Sequence, residues 1–161
     1  MTQEEKELLV KDLCARLPYG VKIALNNNGS YHHENVAKTG DITIDKLKGF
    51  NGSYFSIYHD NPLDWDWYDN DIDIKDIKPY LFPLSSMTEE QKYDFYCRFI
   101  ENDCDFDDFK KFYLDNGMWH KLLTSLDDIE AIIDWFNKNH FDYRGLIEKG
   151  LAIDATGKNI Y

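Results

Sequence analysis

The clearest hydrophobic pattern of the chain lies between Ser125 and Gly150. Apolar residues, closed by a histidine, recur there at steps of three and four, which is the spacing of one face of an α-helix. They are Leu126, Ile129, Ile133, Phe136 and His140. Ser125 is a typical N-cap residue, and acids follow it where the helix dipole favours negative charge. The pattern predicts a helix over 125–139 with Ile133 and Phe136 in the core, and a short second helix over 143–149 that ends at Gly150.

Helical patterns also open the chain and return after residue 87. Thr2 and Thr88 each stand three residues before a Glu or Gln, which is the spacing of a capping box. The first predicts a helix over 3–17, and the second a helix with an aromatic inner face. That face is formed by Tyr93, Tyr96, Cys97 and Ile100, with Phe95 and Phe99 beside it. A third helix is predicted over 106–115, with Asp105 as its cap and Phe106, Phe109, Phe112 and Tyr113 inward.

Between the first two helices the pattern changes to short alternating runs separated by turn sequences. Such runs are typical of antiparallel strands. They predict strands at 21–25, 31–38, 42–44 and 53–59, and a further strand around 72–74. Two prolines then favour an extended strap over 78–84 that lies against the core.

These elements predict an α+β fold, with an N-terminal helix, a small antiparallel sheet, and a C-terminal helical half packed on the sheet. A chain of 161 residues fits a single domain, 1–161. The predicted parts are a helix with antiparallel strands (1–60), an acidic, proline-containing connection (61–87), the helical half (88–150) and a tail lying loosely on the surface (151–161).

Charge narrows the range of partners. The chain carries 30 acids against 18 bases, a net charge of −12. This field repels nucleic acid and anionic membranes, both of which need a positive surface, and it favours a basic protein as partner. No run approaches the 18 apolar residues of a membrane span. The three cysteines, Cys14, Cys97 and Cys104, lack a paired spacing, and the first 17 residues contain no apolar run like that of a signal sequence, so we expect a cytoplasmic protein.

Three segments carry a resemblance to a known family. They are 76–91 (DIKPYLFPLSSMTEEQ), 133–153 (IDWFNKNHFDYRGLIEKGLAI) and 6–22 (KELLVKDLCARLPYGVK). They resemble small uncharacterised proteins that are encoded by gut anaerobic bacteria and by their phages and mobile elements. The resemblance implies a cytoplasmic location and a mobile-element origin. It implies no activity, cofactor or catalytic residue.

A candidate partner surface lies in the acidic middle of the chain, where aspartates alternate with aromatic residues. Its members are Asp64, Trp65, Asp66, Trp67, Tyr68, Asp69, Asp71 and Asp73. Tryptophan and tyrosine dominate the energetics of protein interfaces, and acids around them suit a basic partner. The alternative is that both tryptophans share one strand face packed on a helix while the aspartates face water.

Two aspartate series have the spacing at which a calcium-binding EF-hand loop begins, namely 69–71–73 and 103–105–107. Neither has the glycine at position 6 or the glutamate at position 12 that such a loop requires, so a solvated acidic face is predicted instead. The histidines show no metal-ligand spacing, and His140 is explained by the helix dipole. The sequence therefore predicts no catalytic residue, no cofactor and no metal ligand.

These patterns predict a non-enzymatic accessory or protein-interaction domain, with no direct binding to nucleic acid or membrane. Two alternatives stay open. One is an acidic nucleic-acid mimic that inhibits a DNA-binding protein. The other is a small hydrolase or metal-dependent enzyme, which would need a concave pocket with converging polar groups.

Overall fold

The structure, a computed structural model, describes residues 1–26, 42–50, 55–58, 73–100, 104–114 and 129–161. At 25–26, 42–50, 55–58, 112 and 114 only the backbone is described. The chain divides into two compact units. We call Met1–Leu81 with Arg144–Tyr161 the sheet unit, and Phe82–Tyr143 the helical unit. The single domain stays a prediction, and each unit is treated by itself below.

In its described residues, the sheet unit combines one α-helix with a five-stranded sheet. Its elements are α1 (Gln3–Arg16), β1 (Lys22–Asn26), β2 (Ile42–Phe50), β3 (Phe55–Tyr58), β4 (Ile77–Leu81) and β5 (Ile153–Asp154), with 3-10 turns at Leu17–Tyr19 and Ile74–Asp76. The strand order is β3-β2-β1-β4-β5. All neighbours are antiparallel except β4 and β5, which are parallel. The α+β class is confirmed, whereas the sheet is mixed rather than purely antiparallel.

Helix α1 forms where its capping box predicts. Thr2 and Glu5 exchange both capping hydrogen bonds, and Gly20, at φ 65°, ends the turn that follows the helix. Leu9 and Leu13 are fully buried in a core that also contains Ile23 and Ile77 from the sheet. Helix α1 therefore packs on the sheet through these two leucines, which lie one turn apart on the same face.

The prolines after the acidic middle do not form the predicted strap. Residues 77–81 are strand β4, which lies between β1 and β5, and Pro79 pairs with Ile23. An antiparallel pair that exchanges both backbone hydrogen bonds needs an N–H on each residue, and proline has none. The Ile23–Pro79 pair is therefore non-hydrogen-bonded. β5 pairs only with Tyr80 and Leu81, so Pro79 lies outside that register.

Of the other predicted strands, three are present, one lies outside the described residues and one is wrong at its described end. Strands β1, β2 and β3 lie at the predicted runs 21–25, 42–44 and 53–59. β1 is shifted by one residue, β2 is longer than predicted, and of the third run only 55–58 is described. The strand predicted at 31–38 lies outside the described residues. The strand around 72–74 is wrong at its described end, because Ile74 begins a 3-10 turn.

The predicted short helix and loose tail are both wrong. Residues 143–149 form successive turns, in which Gly145 has a φ of 68° that a continuous right-handed helix does not allow. Leu151, Ala152 and Ala155 are buried, and β5 adds the tail to the sheet. Residues 151–155 of the tail are therefore part of the sheet unit's core and sheet, whereas 156–159 are exposed.

The helical unit contains α2 (Glu89–Phe99), α3 (Phe106–Phe109) and α4 (Ile129–Lys138). A 3-10 turn at Leu84–Ser86 precedes α2, and a π-helical turn at Lys110–Leu114 continues α3. Its buried core is largely aromatic and comprises Met87, Phe95, Ile100, Phe109, Ile132, Trp135, Phe136 and Phe141. Phe136 is in the core as predicted. Ile133 is only half-buried, which corrects its placement, because Ile132 takes the inward position.

Helix α4 ends at a histidine in the left-handed conformation. His140 has a φ of 57°, its N–H donates to the carbonyl of Asn137, and the N–H of Phe141 donates to the carbonyl of Phe136. This pair of bonds is a Schellman motif, in which glycine is the usual left-handed residue. His140 as a whole is 8% exposed. His140 therefore has a specific backbone role at the end of the helix, beyond the dipole interaction that the sequence indicated.

Candidate partner-binding surface

The predicted surface of the acidic middle is described only at its last member. Asp73 caps the 3-10 turn that precedes β4, since its carboxylate accepts the N–H of Lys75 at 3.2 Å. That backbone bond, assisted by the Lys75 ammonium at 3.1 Å, lowers the pKa of Asp73. The other members, Asp64, Trp65, Asp66, Trp67, Tyr68, Asp69 and Asp71, lie outside the described residues and stay predictions.

The second aspartate series has a structural explanation where it is described. Asp105 is the N-cap of α3, as predicted, and accepts the N–H of Asp108 at 2.9 Å. Asp107 is exposed and ion-paired with Lys110. Among the residues that the structure describes, no group of three or more His, Cys, Asp or Glu side chains could hold a metal ion.

A different aromatic surface is visible where α2 meets α3. It consists of Tyr93, Tyr96 and Phe106, which we call the aromatic patch. The ring of Tyr93 meets that of Phe106 edge-on at 5.2 Å between centroids, and Tyr96 lies 5.3 Å from Phe106. Tyr93 is 56% exposed, and its two partners are half-buried. The patch is therefore exposed mainly at Tyr93.

The patch is at the surface because helix α2 packs on the core through the face that contains Phe95. The hydrophobic pattern had predicted a different inner face. Phe95 is fully buried and contacts the rings of Phe109, Trp135 and Phe136 at 5.1–6.0 Å. With Phe95 at the centre, Tyr93 and Cys97 fall on the outer side, and both are exposed. Their predicted inward placement is wrong, whereas that of Ile100 is confirmed.

The inward prediction for α3 is confirmed in part. Phe109 is fully buried, while Phe106 and Tyr113 are half-buried. The hydroxyl of Tyr96 donates to the carbonyl of Cys104 at 2.9 Å, which holds the segment before α3 against α2. Phe106 is thereby kept at the surface beside both tyrosines.

Exposed carboxylates accompany the aromatic patch, and we call them the acidic rim. They are Glu89, Glu90, Asp105, Asp107 and Asp108. Glu89 accepts a 2.6 Å hydrogen bond from the Lys92 ammonium, which is the main cause of the lowered pKa of Glu89. Glu89 and Asp107 also flank the ammonium of Lys110, which lies 4.6 Å from the centroid of the Phe106 ring. The surface therefore already holds one cation against an aromatic face.

Beside the patch, one carboxylate joins α2 to α4. Asp94 accepts the indole N–H of Trp135 at 2.9 Å and the Nε–H of Arg98 at 2.8 Å. These two bonds, that of Trp135 first, lower the pKa of Asp94. The link keeps the outer face of α2 in a fixed orientation on the aromatic core.

The sheet unit holds its principal charged cluster inside. Asp12 and Arg16 are fully buried one turn apart on α1 and form two hydrogen bonds, of 2.7 and 3.1 Å. Arg144 approaches the same carboxylate at 3.2 Å. The sequence analysis missed this cluster, although an acid and a base four residues apart on a helix was a detectable signal. Buried ions must be paired, so the arrangement is a structural one.

A shallow groove of about 400 Å³ lies along α4. Its described lining is Glu130, Ala131, Ile133, Asp134 and Asn137, all from that one helix. This lining brings no polar groups together from different elements, so we assign no chemistry to the groove. The enzyme alternative stays a prediction.

Comparison with protein-family models, curated proteins and solved structures gives no match. In the described part of the chain, no helix combines the length and apolar character needed to cross a membrane.

Proposed function

We propose that the chain is a protein-interaction domain that binds a basic protein through the aromatic patch and its acidic rim. The observation that carries the proposal is the exposure of Tyr93, 56%, on a ring cluster accompanied by exposed carboxylates. Aromatic side chains supply large contact areas at little cost in conformational entropy, and they are enriched among the residues that dominate binding energy.

The negative charge of this chain indicates that its partner is positively charged. The net charge of −12 attracts a basic protein from solution, and the acidic rim continues that attraction at the contact. This attraction acts mainly on the association rate and weakens above about 0.15 M salt, where the screening length is roughly 8 Å. Nucleic acid would be repelled at the same surface.

The test uses two synthetic peptides of equal length and aromatic content, one rich in lysine and arginine and the other rich in glutamate. We expect calorimetry to show binding of the basic peptide alone, and Tyr93→Ala to weaken it by about tenfold or more, as for an interface hot spot. Ile129→Ala is the matched control, because Ile129 is a comparably exposed apolar residue of the same unit that lies outside the patch.

Equal affinity for both peptides would overturn the charge argument. If Tyr93→Ala and Ile129→Ala reduced the affinity for the basic peptide equally, the aromatic patch would have no specific part in binding. If the basic partner later proves to be a DNA-binding protein, displacement of its DNA by this chain would favour the nucleic-acid mimic.

A further inference from the structure

The proposed binding surface contains a cation from its own chain, and this suggests how that surface is regulated. We infer that Lys110 competes internally for the position that a lysine or arginine side chain of the partner occupies. The inference rests on the proposed function, since it concerns the same aromatic patch and acidic rim.

The position of the Lys110 ammonium defines the chemistry of the site. Nζ lies 4.6 Å from the centroid of the Phe106 ring, 3.2 Å from Oδ1 of Asp107 and 3.9 Å from Oε2 of Glu89. An aromatic face with two carboxylates is a general arrangement for holding an ammonium or guanidinium group. The site therefore suits a basic side chain.

The internal cation is held weakly enough to be displaced. Asp107 is 92% exposed and Glu89 66%, while the side chain of Lys110 is 32% exposed. Exposed ion pairs contribute little net free energy, because water screens them and the long side chains lose conformational freedom. A partner with several basic groups and an apolar contact on Tyr93 gains more than Lys110 loses.

The backbone adds a second indication. Lys110 is the first residue of the π-helical turn, which ends at Leu114. Such turns are rare and occur frequently at functional sites. Tyr93 lies edge-on to the same Phe106 ring, so a basic side chain over Phe106 would have an exposed ring beside its aliphatic stem.

The experiment compares Lys110→Met with Lys111→Met, using the lysine- and arginine-rich peptide as the probe. Both substitutions make the same change in net charge at adjacent positions, and Lys111 is exposed. We expect Lys110→Met to bind the peptide about two- to fivefold more tightly than Lys111→Met, the size of an exposed cation–π contact. Asp107→Asn, added to Lys110→Met, should remove most of the gain.

Equal affinities of the two methionine variants would overturn the inference and leave the proposed function standing, provided that the wild-type chain binds the peptide and Tyr93→Ala weakens that binding. If neither the wild-type chain nor Lys110→Met binds the peptide, the proposed function fails, and the inference fails with it. Thermal denaturation of each variant checks that the fold is intact.

Discussion

The two units of this protein place a charged pair of the same spacing in opposite environments. In the sheet unit, Asp12 and Arg16 are fully buried. In the helical unit, Asp94 and Arg98 form the same one-turn pairing at the surface, and Tyr93 is exposed. A buried pair has lost its water and must be satisfied within the fold, whereas an exposed pair remains available to a partner. The buried pair therefore contributes to the stability of the sheet unit, whereas the exposed side chains of the helical unit are those on which the proposed function rests.

The sheet unit also uses a tyrosine hydroxyl in place of a backbone pair. Tyr161 accepts the N–H of Lys22 at 3.1 Å and donates to the carbonyl of Tyr80 at 2.7 Å. In the β1–β4 register, Lys22 and Tyr80 would be the next hydrogen-bonded pair beyond Ile23–Pro79. The hydroxyl bridges the two strands there, although the residue as a whole is 44% exposed.

The largest expected effect separates the two kinds of ion pair. Asp12→Ala leaves the guanidinium of Arg16 buried without its carboxylate, and we expect the free energy of unfolding to fall by about 3–5 kcal/mol. The matched change, Asp94→Ala, should cost clearly less, because that carboxylate is 45% exposed. Urea denaturation of both variants measures the difference, and equal losses would break the comparison.

The next effect concerns the tyrosine bridge. Tyr161→Phe removes only the hydroxyl and leaves the Lys22 N–H and the Tyr80 carbonyl without it, so we expect a loss of about 1–3 kcal/mol. Burial raises the pKa of Tyr161 to about 12. Because the folded value lies above the unfolded one, this stabilisation is complete below about pH 10 and is lost as pH rises toward 12.

The measurement is the free energy of unfolding of the wild-type chain and Tyr161→Phe between pH 8 and 12. Tyr113→Phe serves as a control for the loss of a phenol elsewhere. A Tyr161→Phe variant that matches the wild-type chain at pH 8 would show that the bridge contributes nothing.

The smallest effect tests the exposed carboxylate of the helical unit. The pKa of Asp94 is lowered by Trp135 and Arg98, so its stabilisation is complete above the unfolded value of about 4 and is lost as pH falls through the lower folded value. We expect Asp94→Asn to cost less than about 1 kcal/mol at pH 7, and the cost to disappear in acid. If the loss in the free energy of unfolding were the same at low pH, it would come from packing and not from the charge of Asp94.

Sequence patterns predicted the elements whose signal is local. The capping boxes at Thr2 and Thr88 form as predicted, because each needs only four consecutive residues. Asp105 caps α3, and Phe136 lies in the core. The patterns predicted the wrong buried face for α2. Aromatic residues lie on nearly every side of this helix, so periodicity alone cannot show that Phe95 rather than Tyr93 is buried.

For the candidate site, too, the sequence showed local composition but not which residues pack together. Aromatic residues among acids were recognised in the sequence at 64–73, of which only Asp73 is described, and the aromatic patch on α2 and α3 was not predicted. The aromatic patch depends on which face of α2 packs on Trp135 and Phe136, residues about 40 positions away in the chain. Local spacing holds no information about that contact.

By itself, the sequence determined the α+β class, the acidic character and the starts of the helices capped by Thr2, Thr88 and Asp105, because these follow from composition and from neighbours within a few residues. Only the tertiary structure decided that Pro79 lies in an interior strand, that Tyr161 bridges two strands, and that Asp12 and Arg16 are buried where Arg144 contacts the Asp12 carboxylate. Each depends on residues distant in sequence, whose burial determines whether a polar group is satisfied by water or by the protein.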